Sequence, residues 1–128
     1  MKAKKLALAL IILVLLLAGC AQKTGQSYQN IGAEDLHSLL QKDSNVVLVD
    51  VREPGELEEA GFIPGAVNIP LGQIEKRVGE ISRDRKVVIY CRSGRRSAEA
   101  AKLLTEKGYT DVYNLEGGIT AWPYDKAR

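Results

Sequence analysis

Short β-branched runs alternate with helical runs of about ten residues along most of this chain, and that rhythm limits the fold more than any other feature. Residues 28–31 read as a short edge strand, and residues 46–51, 66–69, 87–90 and 112–115 as further short strands. Between them, residues 33–41 place Leu36, Leu39 and Leu40 at helical spacing, with Glu34 and Asp35 in the first turn, where the helix dipole favours acids. Residues 71–81 set Leu71, Ile74, Val78 and Ile81 on one face, opposite Gln73, Glu75, Lys76, Arg77 and Glu80. Residues 97–107 put Ala100, Leu103 and Leu104 on one side, and Gly108 closes that helix. Glu53-Pro54-Gly55 breaks the second strand, and a brief helix over 57–60 ends at Gly61. Gly117-Gly118 permits a tight turn into a short helix near Trp122, stopped by Pro123. The pattern predicts βα units around a mostly parallel sheet, with ligand sites beyond the carboxyl ends of the strands. Cys91 occupies such an end, and so does the segment Val51-Arg52-Glu53.

The amino end follows different rules. Lys2, Lys4 and Lys5 precede an unbroken apolar run over residues 6–18, then Gly19 and Cys20. A positive start, a short apolar stretch and small residues at its end describe a secretory signal. About 13 apolar residues are too few for an ordinary membrane-spanning helix. Leu17-Ala18-Gly19-Cys20 resembles a bacterial lipoprotein processing site. That resemblance implies cleavage of a signal peptide over residues 1–19 and a lipid on Cys20. Residues 20–27 would then be a small, polar tether, and residues 28–128 a domain held at a bacterial membrane, facing the periplasm or the cell exterior. An uncleaved amphiphilic anchor is the alternative.

Charge points the same way. Loss of residues 1–19 removes three of the 18 Lys and Arg, leaving 15 against 16 Asp and Glu, a mature net charge of about −1 rather than +2. The apparent basicity belongs to the signal, and nothing argues for a nucleic-acid partner. The remaining length suits one domain with a modest core.

With Cys20 lipidated, Cys91 is left without a disulfide partner, and no second thiol stands at CxxC spacing. A lone cysteine in an oxidising compartment favours a functional reason for it, against the alternative of an inert core cysteine. Its sequel Arg92-Ser93-Gly94-Arg95-Arg96-Ser97 is rich in glycine, hydroxyl and arginine. Backbone N–H groups of residues 92–96 curling inward, the positive end of the following helix and the arginine charges would all favour a thiolate. Gly94 allows a backbone angle closed to other residues. Arg96, where the helix starts, reads as a structural clamp whose guanidinium fork binds loop carbonyls or an oxyanion. Arg92 and Arg95 read as a rim that attracts anions. Ser97 reads equally as a loop residue or a plain N-cap.

Four segments in order resemble a single-domain rhodanese, a sulfurtransferase: Val49 to Glu56, Gly61 to Pro70, Cys91 to Ser97 and Leu115 to Trp122. The likeness runs from about Tyr28 to Trp122. It implies a three-layer α/β/α fold on a five-stranded mostly parallel sheet. It implies that Cys91 takes a sulfane sulfur from thiosulfate or a related small anionic donor, becomes a persulfide, and yields the sulfur to cyanide or a thiol. No metal or organic cofactor is implied. Asp50 and Arg52 would belong to a network supporting the active loop, with Arg52 free to pair with an acid such as Glu59; the alternative is a surface ion pair. Phe62 stands where the family usually has histidine, and the chain's one histidine, His37, falls in the first predicted helix. A histidine base is therefore not expected. Trp122 would line the pocket mouth or cap the core.

Two other functions compete. Cysteine-dependent phosphatases and arsenate reductases usually place five residues between cysteine and arginine; Cys91 and Arg96 are separated by four, which suits a sulfur substituent better than a tetrahedral oxyanion. A non-catalytic rhodanese-like binding or sulfur-carrier module is the second rival, and the intact cysteine loop argues against it. The expected partners are small sulfur donors and acceptors, the lipid membrane through Cys20, and an envelope protein.

Overall fold

The computed structural model describes residues 27–128. The expected signal over 1–19, the expected lipidation site Cys20 and all but the last residue of the expected tether over 20–27 lie outside them. Among the described residues no helix is long and apolar enough to cross a membrane.

Five strands form one sheet: β1 (Gln29–Ile31), β2 (Val47–Asp50), β3 (Val67–Asn68), β4 (Val87–Tyr90) and β5 (Val112–Leu115). Their order is β1-β5-β4-β2-β3, and every pair is parallel. Helices α1 (Ala33–Lys42), α2 (Pro54–Ala60), α3 (Ile74–Arg77) and α4 (Arg95–Glu106) make the crossovers. This is the expected three-layer α/β/α rhodanese architecture.

The two-residue period of the strands divides the core. Val87, Ile89 and Cys91 face a layer with Ile74, Ala100, Ala101 and Leu104. Val88 and Tyr90 face Leu36, Ile63, Leu115, Ile119 and Trp122 on the other side. All four residues of β4 are fully buried, because strands flank it on both edges and helices cover both faces. The chain runs outward to β3 and returns to insert β4 between β2 and β5, so the crevice beyond β4 is where a ligand site belongs.

Two local expectations change. β2 ends before Glu53-Pro54-Gly55, as expected, but Pro54 also starts α2, since a proline at the first helical position loses no hydrogen bond. Glu53 and Glu56 close a capping box there, and the helix runs from 54 rather than 57. The single helix expected over 71–81 is instead a 3-10 turn at Leu71–Gln73, the one-turn α3 and a second 3-10 turn at Val78–Glu80. Gly72 and Gly79 weaken a continuous helix, and the Tyr109 hydroxyl takes up the carbonyls of Val78 and Ile81, at 2.8 and 2.6 Å. The apolar face survives, with Ile74 and Ile81 buried. Trp122 is core: it is 4% exposed, and its indole donates to the Asp125 carbonyl.

Candidate active site

The segment after β4 folds back on itself within four residues. Gly94, at φ +106°, turns the chain and caps α4, which begins at Arg95. Ser97 is therefore not the N-cap; it is the third helical residue, and its side chain points inward, fully buried.

The loop's carbonyls are engaged on the side away from the sulfur. Ile119 N–H donates to the Cys91 carbonyl at 2.9 Å, and Thr120 donates to the Arg92 carbonyl through both its N–H, at 3.2 Å, and its hydroxyl, at 2.8 Å. Gly118 makes this contact possible. It adopts φ +59°, and a Cβ there would lie 2.5 Å from the Arg92 carbonyl carbon and 2.6 Å from the Cys91 oxygen. With the carbonyls held outward, amides are left to face the sulfur. Gly94 N–H donates to Cys91 Sγ at 3.1 Å, and the Ser97 hydroxyl lies 3.3 Å from it. Cys91 is 1% exposed, and burial alone would push its thiol up. The Ser97 hydroxyl and the amides of Ser97, Gly94 and Ser93 outweigh burial and hold it below the ordinary thiol value.

The arginines divide. Arg96 does not bind loop carbonyls. Its two terminal nitrogens grip the Glu56 carboxylate at 2.8 Å each, because the capping box has already fixed that carboxylate opposite the start of α4. The grip drives the Glu56 carboxyl down to about 2 and raises Arg96. Arg92, Ser93 and Arg95 are exposed. Arg92 lines an open cleft of about 260 Å³ together with Arg52, Glu56, Glu59, Thr120 and Lys126.

Asp50 and Arg52 form a buried ion pair, 2% exposed or less, rather than a surface one. Arg52 does not reach Glu59. It donates to Asp50 Oδ2 at 2.7 Å and to Oδ1 at 3.1 Å, and to the Gly61 carbonyl at 2.8 Å. Burial opposes its charge, but Asp50 more than restores it. Asp50 Oδ1 also accepts the Arg52 backbone N–H at 2.9 Å, but among the described residues no amide of the cysteine loop donates to it. The pair fixes the turn after α2, whose Ile63 N–H donates to the Tyr90 hydroxyl at 3.0 Å, one residue before the cysteine. Phe62, in the place usually held by histidine, makes a reciprocal backbone bridge to Ala127, at 3.0 and 2.8 Å.

Three residues at the site were not read from the sequence. Glu56 was hidden by its distance in sequence from Arg96. Thr120 acts through a main-chain contact. Asn114 is a polar residue at an inward register position of β5, beside Val112; that misplaced polarity was the available signal. A larger groove of about 440 Å³ lies around His37, Trp122 and Tyr124, with the His37 ring stacked on Tyr124 at 3.7 Å. No residue of the cysteine loop lines it. Among the described residues, no three His, Cys, Asp or Glu side chains gather where they could hold a metal ion.

A parallel α/β sheet whose central strand delivers a cysteine into an amide-lined loop defines a class of cysteine-loop domains. Residues 32–124 match the rhodanese-like domain, and the chain belongs to that family. It is 48% identical over 92 residues to a sulfurtransferase of Allochromatium vinosum, covering 72% of this chain and 85% of that protein. It is 35% identical over 96 residues to the thiosulfate sulfurtransferase GlpE of Pseudoalteromonas translucida, covering 75% and 90%. The crystal structure of a rhodanese-like domain protein from Staphylococcus aureus aligns with a TM-score of 0.70 at 30% identity, covering 78% of this chain and 98% of that one.

Proposed function

We propose that this protein is a sulfurtransferase that carries sulfur as a Cys91 persulfide. The observation that supports it is the sulfur's surroundings: a buried Sγ held by the Gly94 amide at 3.1 Å, beside the Ser97 hydroxyl, with its thiol lowered despite burial. In the first half-reaction the Cys91 thiolate attacks the sulfane sulfur of a donor such as thiosulfate. An S–S bond forms, and the donor's own bond breaks with its electron pair leaving on sulfite. In the second, a thiol or cyanide attacks the outer sulfur, and the pair returns to Sγ. The loop amides stabilise negative charge on sulfur in both halves, because they are already oriented and need no reorganisation. Arg92 and Arg95 at the rim favour approach of an anionic donor.

The test is sulfur loading. After exposure to thiosulfate labelled in its outer sulfur, the intact protein should carry one labelled sulfur on Cys91, released as thiocyanate by cyanide. Cys91→Ser should carry none and keep its melting temperature within a few degrees. An unlabelled Cys91 would sink the reading, and phosphate release from a phosphoester without sulfur loading would favour a phosphatase.

We further propose that Cys20 carries a lipid after loss of residues 1–19 and holds the domain at a bacterial membrane, outside the cytoplasm. The order Lys2, Lys4, Lys5, apolar run, Gly19, Cys20 supports it. A mass spectrum of the natively isolated protein should begin at acylated Cys20; an intact Met1 with no acyl mass would refute it.

A further inference from the structure

Asn114 is buried between the loop and α4, 6% exposed. Its amide Nδ2 donates to the Gly94 carbonyl at 3.2 Å, and its Oδ1 accepts the Ser97 hydroxyl at 2.6 Å. This orientation is forced, since reversing the amide would set Oδ1 against the Gly94 oxygen, and a carbonyl only accepts. Gly94's carbonyl also caps α4 by accepting Ala98 N–H at 3.1 Å, so it is fixed in place. Ser97 therefore stands between two acceptors, Asn114 Oδ1 at 2.6 Å and Cys91 Sγ at 3.3 Å, with one proton to give.

The geometry points to Asn114 as a positioning residue for the Cys91 chemistry, holding the Ser97 hydroxyl proton whenever Sγ is neutral and giving it up when Sγ becomes a thiolate. With Sγ protonated or bonded to a second sulfur, the Ser97 proton rests on Asn114 and the hydroxyl's lone pair faces the sulfur. When Sγ is anionic, the hydroxyl rotates to donate to it and leaves Asn114 Oδ1 without that partner. A buried acceptor that loses its donor costs free energy, so Asn114 opposes the thiolate and favours the states in which Sγ is neutral. The persulfide, whose charge lies on the outer sulfur, is one of those states. Asn114 thus biases the site toward holding its sulfur instead of discarding it. This extends the sulfur-transfer reading, and only its loading arm depends on that reading.

The experiment is a double-variant cycle on thiol ionisation. The thiol pKa is measured from the pH dependence of alkylation rate in the unmutated protein, Asn114→Leu, Ser97→Ala and the combined variant. Asn114→Leu should lower the thiol pKa, because Ser97 no longer has a competing acceptor, and the same change in the Ser97→Ala background should not lower it. A rise in the Asn114→Leu thiol pKa, or equal shifts in the two backgrounds, would overturn the inference whether or not the protein transfers sulfur. In Asn114→Leu the equilibrium persulfide fraction at a fixed thiosulfate-to-sulfite ratio should also fall, by roughly three- to tenfold, the size of one net hydrogen bond. Asn114→Ala repeats the cycle should leucine not fit. In the unmutated protein the Asn114 side-chain amide resonances should shift with the same pKa as the thiol; resonances flat across that titration would exclude the exchange.

Discussion

Gly118→Ala tests the contact that turns the loop's carbonyls away from its sulfur. The alanine Cβ would sit 2.5–2.6 Å from the Arg92 carbonyl carbon and the Cys91 oxygen, both of them main chain, so no side chain can swing aside to relieve it. The left-handed angle at φ +59° adds about 1–2 kcal/mol for any residue with a Cβ. Separation of the two segments would break the Ile119 bond to Cys91 and the two Thr120 bonds to Arg92, each worth about 1 kcal/mol net. A loss of about 4–5 kcal/mol follows. Gly65→Ala is the matched control. It has φ +85° and nothing within 4 Å of an added Cβ, so it carries only the backbone cost. Urea unfolding should place Gly118→Ala about 3 kcal/mol below Gly65→Ala, or ~12–24 °C lower in melting temperature for a domain of this size. Alkylation of Cys91 at neutral pH should slow in Gly118→Ala alone, since amides that drift from the sulfur no longer favour its anion. Equal stabilities for the two variants, with equal alkylation rates, would refute the claim that the closing segment shapes the loop.

Glu56→Gln should lose about 1 kcal/mol at neutral pH, well under the full value of its shift, because the pair is about 30% exposed and solvent screens it. The sign follows from a lowered carboxyl: the contribution is present above the ordinary value of 4.5 and fades as pH falls toward about 2. Melting temperatures of the unmutated protein and Glu56→Gln should therefore converge across that window, and parallel curves would contradict the pairing. Arg92→Ala should raise KM for thiosulfate a few-fold at low salt, with kcat nearly unchanged and the difference fading at high salt; a fall in kcat alone would move Arg92 from the rim into the chemistry. Tyr90→Phe leaves the Ile63 amide without its acceptor and should cost about 1–3 kcal/mol in urea unfolding; no loss would mean that the amide finds another partner.

Strands were the most legible part of the chain. Val87–Tyr90 is a continuous apolar run and Val112–Leu115 is broken only by Asn114, and the limits of both in sequence are their limits in structure. The segment at Pro54 marks the end of β2 as expected, but the helix after it starts at 54 rather than 57, because the same residue that ends a strand is also a favoured first residue of a helix. Residues 71–81 kept their helical spacing but not a helix, since period records which face is buried and not which carbonyls Tyr109 will claim. The cysteine loop was legible as chemistry because its residues are contiguous. Its wiring was not. Arg96 finds Glu56 only once two helix starts are brought together, and Asn114 meets Ser97 only across adjacent strand and helix. Asp50 and Arg52 were read as a supporting pair, but their burial and the Gly61 carbonyl come from the turn that the pair itself holds.

The cradle at Cys91 is built almost wholly of peptide groups, with Ser97 its one side-chain member. The side chains of Arg92, Ser93 and Arg95 point outward and are not spent on holding the sulfur. They form an interchangeable label on a fixed device: replacing them with neutral residues would redirect which molecules dock at the mouth while the Gly94 amide and the Ser97 hydroxyl stay on the sulfur beneath.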